Sequence, residues 1–444
     1  MKIAQPAGMR AFIVVWFGQL VSLFGTAMAQ FALTVWAYQL TGEATALAFV
    51  AFFNFTPGAL ISPIAGALVD RWNRKLVMMI SDMGAGVATI GIFLLHSAGQ
   101  LEIWHLYVAG AFTSVFGAFQ WPAYSASIST MLKKEQYARA NGMMGVAEAL
   151  PAVFAAPLAI TLLIAIDVSG VLFIDIITFI FALLMLLIVH IPQPEVSAAG
   201  AAGRGNLLQE SAYGFRFIWR NKPLLGVQLA FFFSNFMYAI ALTVQSPMIL
   251  ARPAGGEAAL AGVQSAFAVG GVIGGIILSA VGAPKRRVIG VIGGMIASSL
   301  LNIVLGMGQI FIIWAVGSFL SGLIVPVLNG SNQSLWQSKV PPDVQGRVFA
   351  ARRMIAQFTI PLGMAIAGPL ADRVFEPAMQ PDGALAPLFG GVVGVGAGAG
   401  MGLMFVIFGV AGALAAAAFY GVRAVREVDT RMPDHDAAGA GAAS

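Results

Sequence analysis

Twelve predominantly apolar runs dominate this chain, near residues 11–38, 45–69, 76–96, 103–131, 141–166, 168–190, 223–250, 258–282, 288–308, 309–338, 348–371 and 389–421. About 20 apolar residues cross the hydrocarbon core of a bilayer as a helix. In lipid, each such segment has to satisfy its own backbone N–H and C=O groups, so these runs can only be helices. Only 10% of the 444 residues are charged, against roughly 25% in soluble domains, which excludes a globular enzyme with one anchor. The expected fold is an all-α membrane protein whose 12 transmembrane helices form two pseudo-symmetric six-helix bundles, 1–190 and 223–421. A cytoplasmic linker, 191–222, joins them, and a disordered cytoplasmic tail, 422–444, follows.

Charge placement predicts the orientation. With the N-terminus inside, seven segments face the cytoplasm and hold 22 of the 24 Lys and Arg residues, leaving Arg252 and Arg373 outside. Basic loops resist translocation, so a multi-pass protein of the plasma or inner membrane with both termini cytoplasmic is expected. The net charge of +5 is thereby assigned to topology, and no nucleic-acid partner is expected. Ten residues precede the first run, which is too long for a signal-peptide core and reads as a retained span. The absence of cysteine removes disulfide and thiolate chemistry.

The linker opens as IPQPEVSAAGAAGRG, a flexible stretch, and continues as LLQESAYGFRFIWRNK, which predicts a short helix on the inner membrane surface. The halves echo each other. PAYSASISTMLKKEQYAR after span 4 matches PVLNGSNQSLWQSKVPPDVQGR after span 10, and the basic loop after span 2 matches APKRR after span 8, where the acid is gone. Repeated halves are how many secondary transporters are built.

The break after span 2 reads GALVDRWNRK, residues 66–75. Gly66 would let a neighbouring helix approach, Asp70 could face a helix N-terminus at the membrane edge, and Asn73 suits a tight turn. Arg71, Arg74 and Lys75 could pair with Asp70, with Asp82 two turns into span 3, or with lipid phosphates of the surrounding bilayer. This G-x-L-x-D-R-x-x-R-K pattern resembles the signature loop of the major facilitator superfamily. The texture of FGQLVSLFGTAMAQFALTVWAYQLTG, IDIITF and VPPDVQGRVFA is similar to its drug and macrolide efflux branch, which includes drug:proton antiporters. The resemblance implies that Asp70 helps hold an inner gate shut. Many proton-coupled relatives carry an arginine in span 4; Thr113 occupies roughly that place here, which argues against proton coupling by that route.

Few ionisable groups lie inside spans. Glu148 in span 5 and Asp175 in span 6 are the coupling candidates, because a buried carboxylate has to pair, protonate or face water. Polar residues fall on helical stripes: Gln19, Ser22, Thr26 and Gln30 in span 1, and Gln228, Phe231, Asn235, Tyr238 and Gln245 in span 7. The stripes read either as two walls of one substrate cavity or as polar contacts between packed helices. Thr113 in span 4 and Asn329 and Asn332 in span 10 join the cavity candidates.

No cation sits at mid-depth to hold an anion, so the expected substrate is a hydrophobic neutral or cationic small molecule. The expected activity is secondary active export of drugs or macrolide-like natural products by alternating access, with protons as the coupling ion, the chain acting as a monomer without cofactor or metal. The alternative is a dedicated exporter or flippase for one metabolite, siderophore or lysophospholipid. A membrane enzyme would need a catalytic constellation and a primary pump a phosphate-binding loop; the sequence has neither.

Overall fold

The apolar runs fold as helices. The computed structural model describes residues 8–69, 72–132, 136–192, 207–281, 284, 286–340, 345–432 and 434, and no strand occurs among them. Ten of their helices are long and apolar enough to cross a membrane. One of the ten lies within α5 (Tyr137–Ile188), a helix of 52 residues broken at Asp167, where φ is 58° and ψ −179°. Asp tolerates positive φ better than most residues. Dividing α5 there and adding the 29-residue α4 (Ile103–Met131) gives elements that the expected twelve spans fit.

The chain divides into two compact units, Met1–Glu195 and Val196–Ser444. The first contains α1 (Gly8–Thr41), α2 (Ala44–Val69), α3 (Arg74–Ser97), α4 and α5; α1 packs along α5, α2 against α4, and α3 against α4 and α5. Close approach is built into the sequence. A Cβ on Gly58 would lie 2.4 Å from the Ser114 carbonyl oxygen, and one on Gly25 would lie 2.0 Å from Thr178 Oγ1.

The second unit begins with α6 (Leu207–Arg220), α7 (Lys222–Thr243) and α8 (Gln245–Ala251). It continues with α9 (Glu257–Val281), α10 (Arg287–Met307), α11 (Phe311–Lys339) and α12 (Gln345–Leu370). A π-helical turn, Ala371–Phe375, prolongs α12 just after Pro369, a place where the regular ladder is already interrupted. Then come α13 (Ala386–Val393), α14 (Ala399–Gly421), α15 (Arg423–Arg426) and α16 (Val428–Arg431). Helix α9 packs on α11, α10 on α11 and α14, and α7 on α12 and α14. At the α9–α11 seam a Cβ on Gly270 would come within 2.0 Å of the Phe319 carbonyl oxygen, so the helices meet backbone to backbone.

The linker's amphipathic stretch is helical from Leu207; α6 buries Ile218 against α12 and leaves Trp219 exposed. The tail departs from expectation. Residues 423–431 are two helical turns rather than disordered chain, because Val425 and Val428 are fully buried beside Leu224, Val288 and Trp336. At the opposite end of this unit Arg252, expected on the outer side, is also buried. Its guanidinium donates to the carbonyls of Gly398 (3.3 Å), Gly306 (3.1 Å), Val393 (3.1 Å) and Gly308, clasping three chain turns at once.

Candidate functional site

Among its described residues the first unit holds two buried carboxylates, each met by donors from two other helices. Asp82 on α3 is 9% exposed. It accepts Gln19 Nε2 of α1 at 2.9 Å and Gln120 Nε2 of α4 at 2.8 Å, and the two amides join each other at 3.1 Å. Asp175 on α5, 3% exposed, accepts Thr26 Oγ1 of α1 at 3.2 Å and Thr89 Oγ1 of α3 at 3.0 Å. A buried carboxylate needs such donors, and these bonds tie three helices together at each point. Two members of the span 1 stripe, Gln19 and Thr26, are therefore spent on packing. Ser22 and Thr113 are half-buried, and Gln30 is exposed.

Glu148 differs from both aspartates. It is exposed, and its one partner among the described residues is Trp121 Nε1, which donates to Oε1 at 2.9 Å. Of the signature loop, Asp70 and Arg71 lie outside the described residues, and Gly66 is described only as part of α2. Asn73 caps α3, its side-chain oxygen accepting the Leu76 N–H at 3.2 Å. Lys75 donates to the carbonyls of Leu187 (2.9 Å) and Val189 (2.7 Å) at the end of α5, and Arg74 is buried. Among the described residues, two neutral amides bond the Asp82 carboxylate.

The second unit holds a partly open pocket, with about 640 Å³ of empty space when the solvent at its mouth is included. Helix α7 contributes Phe231, Ser234, Asn235, Met237 and Tyr238. Helix α10 contributes Met295, Ser298, Ser299 and Asn302; α11 and α14 add Val325, Leu328, Asn329 and Phe408. Four expected cavity residues, Phe231, Asn235, Tyr238 and Asn329, thus meet in one place. Three others do not line it. Gln228 is buried and donates to the Arg352 carbonyl at 3.3 Å, Gln245 donates to Ser318 Oγ at 3.4 Å, and Asn332 is buried with Oδ1 unpartnered.

Sequence reasoning missed Gln120, Ser234 and the α10 wall. Ser298, Ser299 and Asn302 form a polar turn in an otherwise apolar helix, a signal that was present in ASSLLN. Gln120 stood alone before Trp121-Pro122, and nothing local announced its partner 38 residues earlier.

The sequence model of the Major Facilitator Superfamily matches residues 15–364. The chain belongs to that superfamily. Macrolide efflux protein A of Streptococcus pyogenes is 25% identical over 366 residues, covering 82% of this chain and 90% of that protein. The multidrug efflux pump Tap of Mycobacterium bovis is 26% identical over 378 residues, covering 82% and 87%. Among solved structures, an inward-facing, unoccupied bacterial homolog of the human lysosomal transporter Spinster aligns with TM-score 0.69 at 14% identity, covering 94% of this chain and 98% of that one. A nucleoside transporter aligns with TM-score 0.68 at 12% identity, covering 92% and 100%. These structural likenesses show the fold. This superfamily member is a multi-pass membrane transporter and not an enzyme.

Proposed function

We propose that this superfamily member is a secondary active exporter of hydrophobic neutral or cationic compounds, drugs and macrolide-like natural products among them, working by alternating access in exchange for protons. The observation that carries the reading is the pocket of the second unit: aromatic and Met side chains, a few amides and hydroxyls, and no lysine, arginine or carboxylate among its lining residues. Such a lining suits an apolar molecule with a few polar atoms and offers nothing to a phosphate or carboxylate. The distant relatives named for macrolide and multidrug efflux support the same substrate class.

For the coupling proton the reading takes Glu148. Asp82 and Asp175 each accept two donors that tie helices together, whereas Glu148 is exposed with one indole partner and can exchange a proton without dismantling an interhelical contact. The protein works in the plasma or inner membrane as a monomer, with the inner gate held by the loop around Asp70. The test is efflux of a labelled neutral substrate, progesterone, and a labelled macrolide amine, erythromycin, from proteoliposomes under an imposed pH gradient, movement of either one supporting the reading. Flux should rise with the gradient in the wild type and fall to the gradient-free level in Glu148→Gln. Gradient-driven flux that survives this substitution would remove Glu148 from the coupling role.

A further inference from the structure

In an apolar helix a serine or threonine hydroxyl ordinarily bonds back to the carbonyl four residues earlier, because no water is there to take it. Thr34, Thr41, Ser127, Thr161 and Thr243 all do so, at 2.7–3.0 Å. Ser234 on α7 and Ser298 on α10 do not. Both hydroxyl oxygens are buried, both lack any hydrogen-bond partner, and both residues line the same pocket. Thr56, Ser321 and Ser331 also have buried hydroxyls without a partner, but they lie outside the pocket.

A buried hydroxyl without a partner carries a free-energy cost unless something arrives to bond it. The two serines approach from different helices, with the amides of Asn235 and Asn302 lining the same space and the aromatic faces of Phe231 and Phe408 beside them. No carboxylate lines the pocket to neutralise a cation. The attraction of aromatic faces for a cation is smaller than the cost of bringing an unpaired charge to membrane depth. We infer that this pocket, formed wholly within the second unit, is a binding site for an uncharged amphiphile whose carbonyl or hydroxyl oxygens bond Ser234 and Ser298, and that it selects against lipophilic cations. This deepens the exporter reading by narrowing it, at this pocket, to neutral substrates, and it rests on that reading for the ligand's fate, though not for its binding.

The test uses the full chain in lipid nanodiscs, with empty nanodiscs as background. Tritiated progesterone is the neutral probe and tetraphenylphosphonium the cationic competitor. Saturable progesterone binding is expected, unaffected by equimolar tetraphenylphosphonium. Removing both hydroxyls with Ser234→Ala and Ser298→Ala should weaken it roughly tenfold, since each neutral hydrogen bond is worth about a two- to tenfold change. Ser298→Leu, which fills the space while keeping α10 apolar, should abolish it. Absence of saturable binding in the wild type would overturn the inference, as would unchanged affinity in the alanine variants (the result if water alone bonds the serines) or displacement by the cation. Failure of proteoliposomes to move either progesterone or erythromycin would instead sink the exporter reading, and the binding result would stand apart from it.

Discussion

At the scale of single residues, the charges inside this protein are placed by partners rather than by depth. Arg252 shows this most clearly. Burial pushes its guanidinium down to about 10, with the charge of Glu376 acting the other way, so it remains a cation at neutral pH. Four backbone carbonyls at turns and helix ends replace its hydration, and Gly402 leaves the space it needs, since a Cβ there would lie 2.0 Å from Nη2. Arg252→Gln should lower the unfolding free energy of the purified protein by about 2–4 kcal/mol, because a shorter neutral amide leaves several buried carbonyls without donors. Chemical denaturation in micelles would measure it, and a change under about 0.5 kcal/mol would mean that these turns are held by something else.

At the scale of elements, the most consequential feature is the C-terminal pair of short helices. The loop before α10 repeats the basic character of the first-half signature but lacks its acid. In the folded unit that acid comes from the tail: Asp434 accepts Lys339 Nζ at 2.9 Å and Arg287 Nη1 at 3.5 Å, and Asp429 Oδ2 accepts the Val288 N–H at 3.1 Å. Lys339, only 2% exposed, also donates to the carbonyls of Asp429 and Met432. The Lys339 ammonium that donates to Asp434 holds its carboxyl below the usual carboxylate range. The sign follows: a depressed folded pKa contributes stability that is present above the unfolded value, near 4, and lost as pH falls through the folded one. Acidification below about pH 4 should therefore loosen residues 428–432, read as faster amide exchange after correction for its intrinsic pH dependence. Asp434 is 43% exposed, so its ion pair contributes about 1 kcal/mol or less, and Asp434→Asn should have a small effect at neutral pH. Lys339→Ala, which empties a buried site and frees two carbonyls, should loosen the same segment markedly; equal protection in both variants would show that Val425 and Val428 alone pin it.

At the scale of the whole molecule, charge asymmetry predicts topology, and the lack of cysteine makes the prediction easy to check. Trp72 lies in the basic break between α2 and α3, and Gln100 in the turn between α3 and α4. A membrane-impermeant maleimide should label Gln100→Cys in intact cells and Trp72→Cys only after permeabilisation. The reverse pattern would invert the protein and with it the assignment of an inner gate.

Much of this was legible in the sequence because its cause is local. Segment length and apolarity dictate helices in lipid, and Asn73 caps α3 through its own side chain. The change of direction at Asp167 lies where the sequence placed the boundary of spans 5 and 6, and the stripe containing Phe231, Asn235 and Tyr238 shares one face of α7 by period alone. What tertiary structure decided was partnership. Gln19 and Gln120 lie 101 residues apart and meet on Asp82; Arg252 meets Gly398 across 146 residues; Val425 and Val428 fold onto a core that no tail composition announces. Helical period selects the face on which a polar side chain lies, but its partner is set by which helix packs there, and packing depends on glycine contacts and turns distributed over a whole unit.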